Sequence, residues 1–259
     1  MRGLFITGTD TGVGKTWAAG CIIRALLAAG RRAGAYKPVC SGAEQDEHGQ
    51  PRWEDLDALC RALLIIEPGR CREELAGASS ISDRPEGASP DRRARLVEQV
   101  CPQRFLAPLA PPVAAALEGR TVDPVRLRRG VDGWRRDAEV LIVEGAGGLL
   151  SPIADGETNA DLAADLGWPV VVVAENRLGM VNHTLLTLEC TRVRGLTVVG
   201  IVLNQITADG DHSVETNADL LARFVPGVPI WQLAFGGDRI VARDPPGAEL
   251  DWWSIARDE

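Results

Sequence analysis

The sequence lacks the features that mark several protein classes. Only 5% of its 259 residues are aromatic, its three histidines are scattered, and its six cysteines form no CxxC pair. Neither a cysteine zinc site nor a disulfide framework is therefore indicated, and we interpret the cysteines as reduced thiols of a cytoplasmic protein. No apolar run of about 18 residues is present, so no membrane span is expected. The first residues do not resemble a secretion signal.

An excess of basic residues is also missing. The chain has 28 Lys and Arg against 36 Asp and Glu, which gives a net charge of −8. Such a chain has no general field that attracts nucleic acid or an acidic membrane surface, so we expect neither as a partner. Any anionic ligand must be held by a local site.

The remaining composition is that of a globular protein, with 45% hydrophobic and 25% charged residues. Continuous apolar runs predict strands at 4–7, 33–39, 138–143, 169–173 and 196–203. Helical spacing predicts helices at 15–29, 54–66, 113–118, 122–136, 159–166, 179–194 and 214–223, with one more near 90–100. Alternating buried strands and helices favour an α/β fold, a doubly wound and mainly parallel sheet with helices on both faces. We interpret residues 1–259 as a single domain with a surface insertion at 67–104.

The strongest motif lies between the first predicted strand and helix, at Gly8-Thr9-Asp10-Thr11-Gly12-Val13-Gly14-Lys15-Thr16. Strand, glycine-rich turn and helix are the context of a phosphate-binding loop, which makes the fold one of the P-loop NTPase type. Lys15 is expected to reach the β- and γ-phosphates, and the Thr16 hydroxyl to bind Mg²⁺. Gly8 stands six residues before Gly14, where the usual spacing is five.

Other polar residues follow the ends of later predicted strands. Lys37 ends the second strand with Ser41 just after it, and Glu144 ends the strand of residues 140–143, before four small residues. The carboxyl ends of parallel strands meet at one edge of a sheet, where ligands bind. A lysine in an apolar strand indicates an anion partner, and the carboxylate is where a second metal ligand is expected.

Two further residues complete the candidate site. Asp57, at the start of the predicted helix 54–66, is expected to join Thr16 and Glu144 around magnesium, although the sequence does not separate it from Asp55. Asn204, at the end of the strand 196–203, has the paired donor and acceptor that can bind the edge of a base.

Together these motifs resemble the dethiobiotin synthetases of the biotin pathway, in order and spacing. The matching residues are Gly8 to Thr16, Tyr36-Lys37-Pro38-Val39 with Ser41-Gly42, Asp57-Ala58-Leu59, Val143 to Gly148, Leu178 to His183 and Val202-Leu203-Asn204. The resemblance implies an ATP-dependent cyclo-ligase that joins CO₂ to 7,8-diaminononanoate. An N7 carbamate forms first, a carbamic-phosphoric anhydride follows, and ring closure gives dethiobiotin, ADP and phosphate. It also implies a homodimer and Mg²⁺ as cofactor.

The resemblance assigns roles to the residues. It implies catalytic roles for Lys37, Lys15 and Thr11. It implies magnesium binding by Thr16, Asp57 and Glu144. Substrate binding falls to Ser41 and to Gly179, Met180, Val181 and Asn182, the last four from the partner subunit. Nucleotide binding falls to Gly12, Val13, Gly14, Lys15, Thr16, Trp17, Asp57, Glu144, Gly145, Ala146, Gly147, Asn204 and Gln205.

Departures from the family pattern leave the choice of nucleotide open between ATP, CTP and GTP. Gly12 stands where some members carry an acid, Pro112 where a histidine is expected, and Leu233-Ala234-Phe235 lacks a proline often found beside the base. Two alternatives remain. One is another P-loop amide-forming ligase, which usually carries a glutaminase domain. The other is a switch-type P-loop ATPase, which usually carries a lysine where Asp10 stands.

Overall fold

The computed structural model describes residues 1–64 and 90–257. Its strands are β1 Arg2–Gly8, β2 Ala33–Tyr36, β3 Glu44–Gln45, β4 Pro51–Arg52, β5 Val140–Gly148, β6 Pro152–Ala154, β7 Glu157–Thr158, β8 Val170–Glu175, β9 Val198–Asn204, β10 Ile230–Leu233 and β11 Val241–Ala242. Its α-helices are α1 Lys15–Ala28, α2 Glu54–Leu64, α3 Pro90–Val100, α4 Pro111–Leu117, α5 Pro124–Arg129, α6 Asn159–Leu166, α7 Met180–Val193, α8 Val214–Phe224 and α9 Trp252–Ile255.

Within these residues the main sheet has the strand order β11-β10-β9-β8-β1-β5-β2. All neighbours in it are parallel except the pair β10 and β11. The chain leaves β1 toward β5 and β2 on one side and later fills β8, β9 and β10 on the other. The order therefore reverses at β1, and a ligand is expected at its carboxyl end. The α/β fold predicted from the sequence is confirmed.

The central strands are buried because their side chains are apolar on both faces of the sheet. Residues 4–6 of β1 and 170–174 of β8 have no exposed surface. The predicted helix at 122–136 is instead α5 followed by a 3-10 turn over Gly130–Trp134. The strands β10 and β11 and the two small hairpins were not predicted, since runs of two to four residues carry little periodicity.

The interpretation of 67–104 as a surface insertion is wrong for its last residues. Val100 and Cys101 are fully buried, and the backbone N–H of Lys37 donates to the Val100 carbonyl at 2.8 Å. The segment after α3 therefore lies against the end of β2 and forms part of the core. Residues 65–89 of that interval lie outside the described part of the chain.

No helix in residues 1–64 or 90–257 combines the length and apolar character needed to cross a bilayer.

Candidate active site

The phosphate-binding loop predicted at residues 8–16 lies between β1 and α1. Gly12 and Gly14 adopt left-handed backbone conformations, with φ of 78° and 85°, which favour glycine. Gly14 also admits the amide of Asn204, whose Nδ2 donates to the Val13 carbonyl at 3.0 Å. Asn204 is buried, so its amide anchors the loop at the end of β9.

Lys15 is the first residue of α1 and is buried below the loop. Its Nζ donates to the Asp10 carbonyl at 2.9 Å, an arrangement that curls the loop around the ammonium group. Burial lowers the pKa of Lys15, and the nearby charge of Glu144 opposes that shift. A cation whose partner is a neutral carbonyl remains available for an incoming anion.

Four side chains converge beside the loop: Thr16, Lys37, Asp55 and Glu144. Lys37 Nζ lies 2.6 Å from Glu144 Oε1 and 2.5 Å from Asp55 Oδ2. Thr16 Oγ1 lies 2.8 Å from the same Glu144 oxygen and 2.9 Å from Asp55 Oδ1. Residues from α1, α2, the middle of β5 and the position just after β2 thus form one polar cluster.

The electrostatics of this cluster follow from its burial. Lys37 is 3% exposed and Glu144 1% exposed, so each charge needs the other as a counterion. Burial alone lowers the pKa of Lys37, but Glu144 and Asp55 raise it well above its usual value. Lys37 in turn lowers the pKa of Asp55. Burial raises the pKa of Glu144, and the positive charge of Lys37 opposes that rise. Because Lys37 stays protonated and needs a counterion, we treat both side chains as ionised.

The expectation that Asp57 joins Thr16 and Glu144 is wrong, since Asp55 occupies that place. Asp57 Oδ2 accepts a hydrogen bond from Arg52 Nε, and its Oδ1 lies 3.3 Å from Arg93 Nη2. Residues two apart on a helix point about 200° apart around its axis, so only one of the two acids can face the site.

The residues present fit a magnesium ion. Thr16, Asp55 and Glu144 offer hydroxyl and carboxylate oxygens, which Mg²⁺ prefers alongside phosphate and water. Glu144 Oε2 is buried and has no hydrogen-bond partner in the structure. Among the residues that the structure describes, no group of three or more His, Cys, Asp or Glu side chains forms a metal cluster. A site with two carboxylates needs a ligand such as a nucleotide to supply further oxygens.

A cavity of about 480 Å³ opens at the ends of β9 and β10. Asn176, Gln205, Gln232 and Gly237 are among its lining residues. The Trp17 indole N–H donates to the Gly237 carbonyl at 2.8 Å and so ties α1 to this cavity. Gln205 Nε2 donates to the Ala208 carbonyl. The structure thus brings Trp17, Asn204 and Gln205 to one side of the phosphate-binding loop.

The predicted substrate residues lie in two separate places. The Ser41 hydroxyl follows β2 and donates to the Leu109 carbonyl at 2.6 Å. Gly179 precedes α7, with φ of 90°, and Met180, Val181 and Asn182 form its first turn. Since β2 and β8 are separated by β5 and β1, the two groups flank the loop from opposite sides.

Comparison with a protein-family model shows the class of proteins to which the chain belongs. A family model described as "AAA domain" matches residues 2–62 and 90–230, which is most of the chain. The chain therefore belongs to this class of P-loop proteins, as the loop and the parallel sheet indicate. Among solved structures, the septum site-determining protein MinD complexed with Mg-ADP from Pyrococcus horikoshii OT3 is 14% identical, with a TM-score of 0.49. That match covers 90% of this chain and 81% of the other.

Curated relatives show which family within this class the chain belongs to. The ATP-dependent dethiobiotin synthetase BioD of Anaeromyxobacter dehalogenans (strain 2CP-1 / ATCC BAA-258) is 42% identical over 238 residues, 92% of each chain. The enzyme of the same name from Rhodopirellula baltica is 36% identical over 87% of this chain and 81% of its own. The chain belongs to the dethiobiotin synthetase family of ATP-dependent ligases. The resemblance seen in the sequence is confirmed.

Proposed function

We propose that this chain closes the ureido ring of 7,8-diaminononanoate with CO₂ and ATP, giving dethiobiotin, ADP and phosphate. The observation that carries the proposal is the buried Lys37, held between Asp55 and Glu144 beside a phosphate-binding loop. Carbamate and triphosphate are both anions and repel each other. A ligase that joins them must therefore supply cations on both sides of the reacting atoms.

Lys15 and Lys37 are the two cations. Lys15 Nζ, bound to a neutral carbonyl, can exchange that partner for phosphate oxygens. The N7 carbamate oxygen attacks the γ-phosphorus and ADP leaves. The N8 amine then attacks the carbamoyl carbon of the anhydride, phosphate leaves, and N8 loses a proton. In both steps the lysines stabilise charge that accumulates on oxygen, and Thr11 with the N–H groups of the loop orients the transferring phosphoryl group.

Thr16, Asp55 and Glu144 would hold Mg²⁺, and Mg²⁺ supplies charge neutralisation at the β- and γ-phosphates. The three residues come from α1, α2 and β5, which fixes their oxygens relative to the loop. Trp17, Asn204, Gln205 and the cavity beside them would hold the nucleoside. The backbone of Gly145, Ala146 and Gly147 permits close approach of the nucleotide because it carries almost no side chains.

We also propose a homodimer in which α7 of one subunit completes the substrate site of the other. Asn182, Leu186, Glu189 and Val193 share one exposed face of α7, and Leu186 is 62% and Val193 73% exposed. Apolar side chains grouped on one exposed helix face can form an association surface. The first turn of α7, Gly179 to Asn182, would bind the distant carboxylate of the substrate through backbone N–H groups and the positive end of the helix dipole.

The alternatives gain no support from the site. A glutamine-dependent ligase needs a reactive thiol. Among the cysteines that the structure describes, Cys21, Cys40, Cys60 and Cys101 are buried, and Cys190 is half-buried on α7, away from the phosphate-binding loop. The net charge of −8 supports a protein without nucleic-acid partners. The small-molecule substrates proposed here support action in the cytoplasm.

The reaction is tested by ADP release from Mg-ATP and bicarbonate, with and without 7,8-diaminononanoate. We expect release that depends on the diamine, with dethiobiotin found in the product by mass spectrometry. CTP and GTP in place of ATP determine the base preference. Release that is independent of the diamine with all three nucleotides would contradict the proposal.

A further inference from the structure

The end of β5 contains an irregularity beside the phosphate-binding loop. Ile6 pairs with Glu144 and Gly8 pairs with Gly148, so β1 advances two residues while β5 advances four. The extra residues of β5 form a bulge at Gly145, Ala146 and Gly147. Backbone groups in a bulge lose their ladder partners and need others.

Asn159, the first residue of α6, supplies those partners. Its Oδ1 accepts from the Ala146 N–H at 3.1 Å. Its Nδ2 donates to the Ala146 carbonyl at 2.7 Å and to the Gly148 carbonyl at 2.8 Å. Asn159 is 1% exposed, so water does not compete for these bonds. A carboxylate cannot donate hydrogen bonds, and an aliphatic side chain can neither donate nor accept them. The three bonds therefore require an amide, which does both.

The bulge faces the phosphate-binding loop at short range. A Cβ added to Gly147 would lie 3.4 Å from Thr11 Oγ1, and one added to Gly148 would lie 3.5 Å from the Gly8 carbonyl. A shift of the bulge therefore changes the space between Glu144 and the loop, where the phosphates are expected. On the other side a Cβ on Gly145 would lie 2.7 Å from Asn159 Oδ1, so the amide sets the position of the bulge by contact.

Asn159 is supported by hydrogen bonds and an ion pair around the start of α6. The Thr158 and Asp161 side chains form a reciprocal cap at the start of α6, and Arg194 Nη1 lies 2.5 Å from Asp161 Oδ1. The Ala160 N–H donates to the Leu149 carbonyl at 2.9 Å, which joins the helix to the turn after β5. Helix and turn thus hold the amide in one place.

We propose that Asn159 is a positioning residue for nucleotide binding, which fixes the bulge of β5 against the phosphate-binding loop. This role was not predictable from sequence, because an Asn at a helix start is ordinarily a cap. The inference rests on the proposed function only in that a nucleotide binds at the loop.

The test uses the full chain with Asn159→Leu, which keeps the number and branching of the side-chain heavy atoms but makes no hydrogen bonds. Isothermal titration with Mg-ADP is expected to give a Kd about tenfold higher than that of the unmodified chain. A tenfold change corresponds to about 1.4 kcal/mol, the size expected for the loss of one or two hydrogen bonds. The KM for ATP should rise in parallel. Hydrogen exchange, which needs no ligand, should show faster exchange at the Ala146 amide.

Gln103→Leu is the matched control. Gln103 is a buried amide whose side chain also makes two backbone hydrogen bonds, both to Asp123 and neither to the phosphate-binding loop or β5. We expect it to lower Tm while leaving the Kd for Mg-ADP unchanged. If Asn159→Leu fails to fold, Asn159→Ser, whose hydroxyl can replace one of the amide's hydrogen bonds, should give an intermediate Kd.

An unchanged Kd and unchanged exchange in Asn159→Leu would overturn the proposal, as would equal losses of affinity in the Gln103 variant. If even the unmodified chain fails to bind Mg-ADP or Mg-ATP, nucleotide use itself is wrong. The exchange at Ala146 then still decides whether Asn159 holds the bulge.

Discussion

Lys37 is almost fully buried and yet carries a charge, a combination that is stable only with close counterions. Its two carboxylate partners lie at 2.5 and 2.6 Å, and both belong to the proposed magnesium shell. The lysine therefore contributes both to the fold and to the chemistry, and these contributions can be measured separately.

Lys37→Met should reduce turnover at least about 100-fold, since it removes charge stabilisation at the reacting oxygens. It should also destabilise the fold by about 3 kcal/mol at pH 8, because Glu144 is left buried without a counterion. Burial already raises the pKa of Glu144, so in the variant its protonated form is favoured and stability should recover as pH falls toward 5. Urea unfolding at both pH values measures this.

The control is the double variant Lys37→Met with Glu144→Gln, which should regain stability at pH 8 but not turnover. A single Lys37 variant with the activity of the unmodified chain would refute the role of the lysine.

The acids of α2 provide a second comparison at the scale of single residues. Asp55→Asn should raise the Mg²⁺ concentration needed for half-maximal turnover about tenfold or more, since it removes one charged ligand. Asp57→Asn should leave that concentration unchanged, because Asp57 is bound to Arg52 and Arg93. A magnesium titration of both variants decides between the two acids, and equal shifts would contradict the assignment.

At the scale of elements, long apolar strands and the glycine-rich loop were predictable because each depends on local pattern. The loop, α1 and the strands β1, β5, β8 and β9 follow from periodicity and glycine placement. The choice between Asp55 and Asp57 was not predictable, since a shift of one or two residues in the start of α2 exchanges their directions. The bulge at the end of β5 depends on Asn159, which lies 13 residues from Ala146 and is brought to it by the fold.

The cap of α6 should depend on pH. Hydrogen bonds from Thr158 and the charge of Arg194 hold the pKa of Asp161 below its usual value. A carboxyl group whose pKa is lowered by folding stabilises the folded state at pH values above its unfolded pKa of about 3.9. This stabilisation is lost as the pH falls through the folded pKa. Asp161→Asn should therefore cost about 1 kcal/mol at pH 7 and progressively less below pH 4. Urea unfolding across this range is the measurement, and a cost independent of pH would argue against the charge.

At the scale of the whole molecule, the exposed face of α7 makes assembly testable. Leu186→Asp should convert a dimer to monomers in sedimentation velocity, because a charge in an apolar contact is left unpaired. Turnover should fall with the dimer if α7 completes the substrate site of its partner. Phe224→Asp, at an exposed position at the end of α8, is the matched control and should leave the dimer intact. A dimer that survives Leu186→Asp would place the interface elsewhere.

The packing of α3 has a consequence for how this chain can change over evolution. Helices α2 and α3 pack against each other, and the backbone at the end of α3 and just after it is hydrogen-bonded to Lys37 and Cys40. Because the Lys37 N–H donates to the Val100 carbonyl, the place of this lysine depends on where α3 ends. Exposed side chains on α3 can therefore vary over evolution, whereas its last turn cannot move without moving the lysine.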